Sequence, residues 1–292
     1  MEAYTDFARV YDIFMDETPY EQWADFLISL IETYGISKPV RGDLGPEKGE
    51  DGILSSERNL VVDLGCGTGT LTELLAKRGY DMIGVDNSQE MLEAALLKKQ
   101  ESGSEILYLC QDMQELNLYS TVGTVISICD SVNYLLRDEE VEKTFWLVNN
   151  YLYPGGLFVF DFNTVYKYEQ VIGDATIAEN RESCSFIWEN YYHPKQRINE
   201  YDLTIFVREE RGPLKEQSSR QQQTKPFQPE LFRRFSETHF QRGYTPEEMT
   251  GFVERAGMQV VQVLDADTHG PVTDVSERVY VIARECQKWI RN

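Results

Sequence analysis

One run, VVDLGCGTGTL (61–71), constrains the fold of this chain more than any other. An apolar stretch of strand character ends in glycines at every second position, Gly65, Gly67 and Gly69. A stretch with helical periodicity, TLTELLAKRG (70–79), follows at once. Glycine takes positive φ without a Cβ clash and lets a ligand come close to the main chain. A strand, a glycine turn and a helix N-terminus together form a ligand cradle. The next apolar run, DMIGVD (81–86), ends in Asp86. A carboxylate about 20 residues past the first glycine is placed to accept bonds from the two hydroxyls of a ribose.

The surrounding pattern fits that cradle. NLVVDLG (59–65), DMIGVD (81–86), ILYLCQD (106–112), TVISICD (124–130) and GGLFVFDF (155–162) read as buried strands. Helices are expected over 70–79, over 88–99 with Ser88 as N-cap, and over about 139–152. Apolar strands alternating with helices predict a parallel sheet covered on both faces. After Asn163 the rhythm changes. SFIWENYYH (185–193), INEYDLTIFVRE (198–209) and ELFRRFSETHFQ (230–241) alternate at period two, as antiparallel strands do. SSRQQQTKPFQP (218–229) reads as an exposed loop. A helix follows over 245–257, with Thr245 as cap and Pro246 in its first turn, and strands over 258–267 and 278–285 close the sheet. The expected division is an α/β domain of residues 1–164 and 241–292, with residues 165–240 inserted as a small antiparallel sheet. Before the first strand, Tyr4, Phe7, Ala8, Tyr11, Phe14 and Met15 recur at helical spacing. Tyr20, Trp23, Leu27, Leu30, Ile31 and Tyr34 mark a second helix, and residues 36–58 read as a loop.

Two ligand classes fit the glycine loop. A dinucleotide fingerprint reads G-x-G-x-x-G/A; Gly65 and Gly67 match it, but residue 70 is Thr. Asp63, Gly65, Gly67 and Gly69 instead resemble, position by position, the first motif D-x-G-x-G-x-G of the class I S-adenosylmethionine-dependent methyltransferases. Later segments agree with the resemblance. Asp86 matches the family's ribose-binding acid. QDMQEL (111–116) matches the segment that meets adenine, with Asp112 at its amino group and Met113 at the ring. ICDSVNYL (128–135) matches the strand end beside the methionine part and the methyl acceptor, and LYPGGLFVFD (152–161) matches the Pro-Gly-Gly turn. The similarity covers residues 59–164 and 245–285. It is closest to small-molecule enzymes with an N-terminal helical cap and a β insertion after the fifth strand.

The resemblance implies a Rossmann-like fold, a mostly parallel seven-stranded sheet with helices on both faces and the antiparallel insertion beside it. It implies S-adenosylmethionine as methyl donor. It places Tyr11, Asp63, Gly65, Cys66, Gly67, Asp86, Asn87, Met91, Asp112, Met113 and Asp130 around that donor. Catalytic roles are expected of Tyr11, on a helix folded over the cofactor, and of His239, as a general base. His239 belongs to the run THFQRGYTPEE (238–248), where Arg242 is a candidate for a substrate carboxylate. Asp130, Ser131, Asn133 and Tyr134 form a second acceptor candidate, and Trp188, Tyr191, Tyr192 and Phe206 are candidate pocket walls. Each also has an ordinary reading: caps for the polar residues, sheet core for the aromatics, and a structural role for Cys66.

Charge narrows the acceptor. There are 28 basic and 49 acidic residues, a net charge of −21. Phosphate-backbone binding rests on clustered Lys and Arg, so a nucleic-acid partner is disfavoured and a small-molecule acceptor expected. An RNA methyltransferase, a non-catalytic S-adenosylmethionine-binding protein and a nicotinamide-dependent oxidoreductase are the rival readings. The five cysteines form no CxxC pair, so neither a zinc site nor a disulfide framework is expected. No apolar run approaches the ~20 residues of a membrane helix, and MEAYTDFARVYD does not resemble a signal peptide. A cytoplasmic setting is expected. Oligomeric state leaves no mark in the sequence.

Overall fold

The computed structural model describes residues 7–40, 55–209 and 230–288. In chain order the elements are α1 (Ala8–Phe14), α2 (Tyr20–Tyr34), α3 (Ser55–Asn59), β1 (Leu60–Leu64), α4 (Thr70–Lys77), β2 (Asp81–Asp86), α5 (Gln89–Ser102), β3 (Leu107–Cys110), β4 (Val122–Ser127), α6 (Asp138–Tyr151), β5 (Leu152–Asn163), β6 (Thr176–Asn180), β7 (Cys184–His193), β8 (Ile198–Arg208), β9 (Phe232–Arg242), α7 (Pro246–Arg255), β10 (Met258–Asp265) and β11 (Arg278–Glu285). Seven strands form one sheet in the order β10-β11-β5-β4-β1-β2-β3. β1 to β5 pair in parallel, while β11 runs antiparallel to both β5 and β10. This is the expected Rossmann-like α/β fold, with one reversed strand.

β5 shows why both faces must be covered. Leu157 and Val159 pack with α2 and α4 through Leu27, Ile31 and Leu75. Phe158, Phe160 and Phe162 point the other way, onto Phe145 and Val148 of α6 and Phe252 of α7. Successive strand residues face opposite sides, so an all-apolar strand needs two helical layers.

The insertion is a four-stranded antiparallel sheet in the order β6-β7-β8-β9. Three strands are expected from sequence, and β6 is the addition. Its five residues, Thr176–Asn180, are mostly exposed and carry little alternation to read. β8 and β9 pair along their whole length, from Ile198 opposite Arg242 to Arg208 opposite Phe232. The insertion leaves and returns at one point beside the main sheet. Thr164 bridges Tyr244, and the Val165 N–H donates to the Tyr244 carbonyl at 3.1 Å.

The stretch at 36–58 is not loop throughout. Its end forms α3, and the buried Ser37 hydroxyl lies 2.8 Å from Thr124 Oγ1 and donates to the Arg58 carbonyl at 3.1 Å. Tyr4, the middle of that stretch and the Gln-rich segment 218–229 lie outside the described residues.

Candidate functional site

The glycine loop is shaped by its backbone. Gly65 has φ +84°, and a Cβ there would stand 2.5 Å from Ser131 Oγ. Gly69 has φ +75°, and a Cβ would meet the Tyr108 hydroxyl at 2.4 Å. Both positions therefore demand glycine for conformation and for space. The Gly65 and Cys66 N–H groups both donate to the Val85 carbonyl, at 2.7 and 3.0 Å, which fixes the loop to β2. Asp86 accepts from Gly67 N at 2.8 Å and from Ser88 N at 2.9 Å. Burial pushes its pKa up, and these backbone N–H groups pull it back. Asp63 lies buried behind the loop and accepts from Thr72 Oγ1 of α4 at 2.6 Å. Burial drives its pKa up to about 7, against the Thr72 hydrogen bond and with a smaller push from Asp86.

These groups line one cavity of about 1010 Å³, counted to its open mouth. Tyr11, Asp63, Gly65, Cys66, Gly67, Asp86, Asn87, Met91 and Met113, all expected at the donor, line this cavity together. Asp112 and Asp130 do not. Asp112 caps a 3₁₀ turn by accepting from Gln114 N at 2.7 Å, while its neighbours Gln111 and Met113 reach the wall. Asp130 is ion-paired with Arg278 at 2.6 Å and accepts from Gln241 Nε2 at 2.7 Å. It thus joins the fourth strand's end to the closing strand and to the insertion.

Tyr11, Tyr20, Trp23 and Tyr134 add aromatic side chains to the same lining. α1 carries Tyr11 and is held from both sides. Asp12 pairs with Lys98 at 2.7 Å and accepts from Thr68 Oγ1 at 2.7 Å. Asp16 pairs with Arg181 at 3.0 Å. Val10 is buried against Cys184, Phe186, Leu203 and Ile205 of the insertion, and Phe14 meets Phe186 edge-on at 4.7 Å. Sequence alone assigns Tyr20 and Trp23 to helix packing, because their wall depends on how α2 crosses the sheet edge.

His239 is 2% exposed on the insertion's inner face and does not line the cavity. It reaches the cavity through Tyr134, whose hydroxyl lies 3.1 Å from His239 Nδ1 and 2.7 Å from the Tyr201 hydroxyl. Tyr201 stacks on the His239 ring at 5.0 Å. The other imidazole nitrogen lies 3.3 Å from Glu237, which is 6% exposed and also accepts from Phe7 N at 3.0 Å. Glu237 escapes a sequence search, although its spacing from His239 puts both on one strand face.

The remaining candidates hold structure together. Arg242 pairs with Asp138 at 2.7 Å and lies over the Tyr244 ring. The buried Tyr244 hydroxyl donates to the Leu135 carbonyl. Asn133 donates to the carbonyls of Asn163 at 2.9 Å and Arg242 at 2.7 Å. Ser131 underlies Gly65. Trp188 meets Tyr201 at a tilt of 40° with ring centroids 4.7 Å apart on the inner face, Tyr191 is exposed, and Phe206 points outward from β8 by its alternation with the buried Ile205.

Similarity to known proteins agrees with this geometry. The family profile described as "Methyltransferase domain" matches residues 61–156. A protein of Geobacillus sp. (strain WCH70), named as a candidate methyltransferase, is 31% identical over 283 residues, covering 97% of this chain and 100% of that one. The solved structure of an S-adenosylmethionine-dependent methyltransferase from Clostridium acetobutylicum ATCC 824 matches with a TM-score of 0.75 at 26% identity, over 97% of this chain and 99% of that chain. CalS10, an amino pentose methyltransferase from Micromonospora echinaspora solved with S-adenosylmethionine bound, shares the fold at a TM-score of 0.62 and 17% identity, over 98% and 99% of the two chains. The chain belongs to the class I S-adenosylmethionine-dependent methyltransferases.

Proposed function

We propose that this enzyme methylates a small-molecule acceptor held in the cavity lined by the glycine loop and the aromatic side chains. The observation that carries the reading is the cavity itself. Its lining combines the glycine loop and Asp86 with the aromatic side chains of Tyr11, Tyr20, Trp23 and Tyr134. The residues fit the donor. A Cβ at Gly67 would meet nothing within 4 Å, so the loop leaves open space above its main chain. Asp86 has acceptor capacity for ribose hydroxyls beyond its backbone partners. Asp63, Gly65, Cys66, Gly67, Asn87, Met91 and Met113 complete the donor's surroundings. Asp112 and Asp130 act as supports, one shaping the turn that carries Met113 and the other tying the insertion to the sheet.

S-adenosylmethionine supplies an activated methyl carbon, so the chain's part is to bind, orient and exclude water. Orientation alone can supply an effective molarity of about 10⁵ M or more. Aromatic faces favour a cation by ~0.5–2 kcal/mol, which suits Tyr11 and Trp23 as neighbours of a sulfonium. Burial pushes the Cys66 thiol well up and the Cys129 thiol to about 12. A raised thiol pKa disfavours the thiolate that a methylated cysteine intermediate would need. The amino pentose acceptor of CalS10 and the net charge of −21 both support a small molecule over a polyphosphate.

Calorimetry with S-adenosylmethionine, S-adenosylhomocysteine and NADH tests donor choice, and a methyl-donor assay against a metabolite panel tests the acceptor class. Binding of both adenosyl ligands and turnover of a panel member are expected. NADH binding without either adenosyl ligand would overturn the reading.

A further inference from the structure

Behind Tyr134, which lines the cavity, lies a buried chain of hydrogen-bonding side chains. Glu237 and His239 occupy the inner face of β9, 6% and 2% exposed, beside the apolar Leu203 and Ile205 of β8. A buried carboxylate is costly unless paired, and an apolar pair would pack this face at lower cost. Each member has a directed partner. Glu237 Oε2 lies 3.3 Å from His239 Nε2, His239 Nδ1 lies 3.1 Å from the Tyr134 hydroxyl, and Tyr134 lines the cavity. The Tyr201 hydroxyl braces Tyr134 at 2.7 Å, and the Tyr201 ring stacks flat on the imidazole, 7° from parallel. A carboxylate that fixes one imidazole nitrogen as N–H leaves the other as a proton acceptor.

The cavity's charge points to what delivers the proton. Its described lining holds two carboxylates, Asp63 and Asp86, several aromatic rings and no Lys, Arg or His. Lys98 and Arg278 stand behind lining residues but are already paired, with Asp12 and with Asp130 and Asp161, so the described lining offers an anionic acceptor no uncommitted cation. An ammonium finds the aromatic faces of Tyr11, Tyr20, Trp23 and Tyr134.

We infer that the acceptor is an amine, and that Tyr134, His239 and Glu237 relay its proton away from the cavity. The inference rests on the function proposed above. One N–H proton of the bound ammonium passes to Tyr134 Oη as the Tyr134 proton passes to His239 Nδ1. The electron pair of the broken N–H bond stays on nitrogen, free to attack. His239 gains one positive charge, which faces the Glu237 carboxylate, and the proton later leaves to solvent. Tyr134 is the group that meets the acceptor. His239 and Glu237 are positioning residues that act through it.

The test starts without an acceptor. In the S-adenosylhomocysteine complex, ¹⁵N imidazole spectra report which ring nitrogen of His239 carries the proton. The chain has three histidines, so His193→Gln and His269→Gln complete the assignment. The relay requires Nε2–H with a bare Nδ1, and an Nδ1–H tautomer overturns it. The second arm sets primary and secondary aliphatic amines against the matching alcohols. Amines are methylated and alcohols are not; methylation confined to alcohols overturns the inference. With a methylated amine, Tyr134→Phe and Glu237→Gln lower kcat by about 10²-fold while S-adenosylhomocysteine affinity holds. Gln still accepts from Phe7 N, so a loss in Glu237→Gln reads charge and not the anchoring of α1. Unchanged kcat in both variants overturns the relay. Failure of the wild-type chain to bind S-adenosylhomocysteine would instead count against the proposed function.

Discussion

Between Asp63 and Met91 the chain supplies most of the cavity lining, from the end of β1 to the start of α5. The aromatic part of the lining draws Tyr11, Tyr20 and Trp23 from before β1 and Tyr134 from after β4, with support from β8 and β9 far downstream. The first is held by positive-φ glycines and backbone hydrogen bonds. The second is held by side-chain pairs between α1, the insertion and the sheet. At Gly65 and Gly69 the first surface tolerates few substitutions, because a Cβ there has nowhere to go. Side-chain-built surfaces can change partner by partner. The donor is a fixed molecule and the acceptor varies among enzymes, so the two constructions suit their ligands.

The largest effect that would break this contrast is at Gly65. Gly65→Val puts a branched side chain at φ +84° against Ser131. Backbone strain of about 1–3 kcal/mol adds to the clash. Donor affinity measured by calorimetry should fall more than about 100-fold, and the melting temperature should drop. Normal donor binding in this variant would mean that the loop is not main-chain-limited.

Asp86→Ala comes next. Charged hydrogen bonds are worth ~1.5–3 kcal/mol, so Kd for S-adenosylmethionine and S-adenosylhomocysteine should rise about 10- to 100-fold together. Unequal losses would show that Asp86 senses the sulfonium and not the ribose.

A smaller effect follows from Asp63. Its folded-state pKa of about 7 stands above the ordinary 3.8 because of burial. The folded chain therefore holds a proton that the unfolded chain releases between those values. Stability falls as pH rises from about 4 to 7, then levels off. A cationic donor favours the ionised carboxylate. Donor affinity should therefore rise about tenfold between pH 6 and 8, with proton release on binding. Calorimetry in two buffers reads that release, and Asp63→Asn should abolish both effects.

The smallest effects belong to the clasp of α1. Partly exposed ion pairs contribute ~0.2–1 kcal/mol. Asp12→Asn breaks the pair with Lys98 and should raise the donor KM by about two- to fivefold. Arg181→Gln, at the exposed pair with Asp16, should change it less still. A larger loss at Arg181 than at Asp12 would place the closing force on the insertion side.

How much was legible follows the same divide. The glycine spacing, Asp86 at its strand end, the apolar strands and the cap at Thr245 are local features, and each reads directly because one residue type satisfies one backbone demand. The expected reach of Asp112 and Asp130 into the donor site did not appear in the described cavity. Their position at a strand end is local, but the partners they take, Gln114 for one and Arg278 with Gln241 for the other, are decided elsewhere. β6 was hidden for lack of alternation, and α3 inside a segment dominated by Gly, Pro and charge.

Sequence by itself determined the sheet, the glycine loop and the interruption after Asn163, because periodicity and glycine conformational freedom act within a few residues. Only the tertiary structure decided that Tyr134 meets His239, that Glu237 stands behind it and that α2 contributes Trp23 to the cavity. Those contacts join residues distant in the chain. Their formation depends on where helices cross and where the insertion folds back, and no local propensity encodes either.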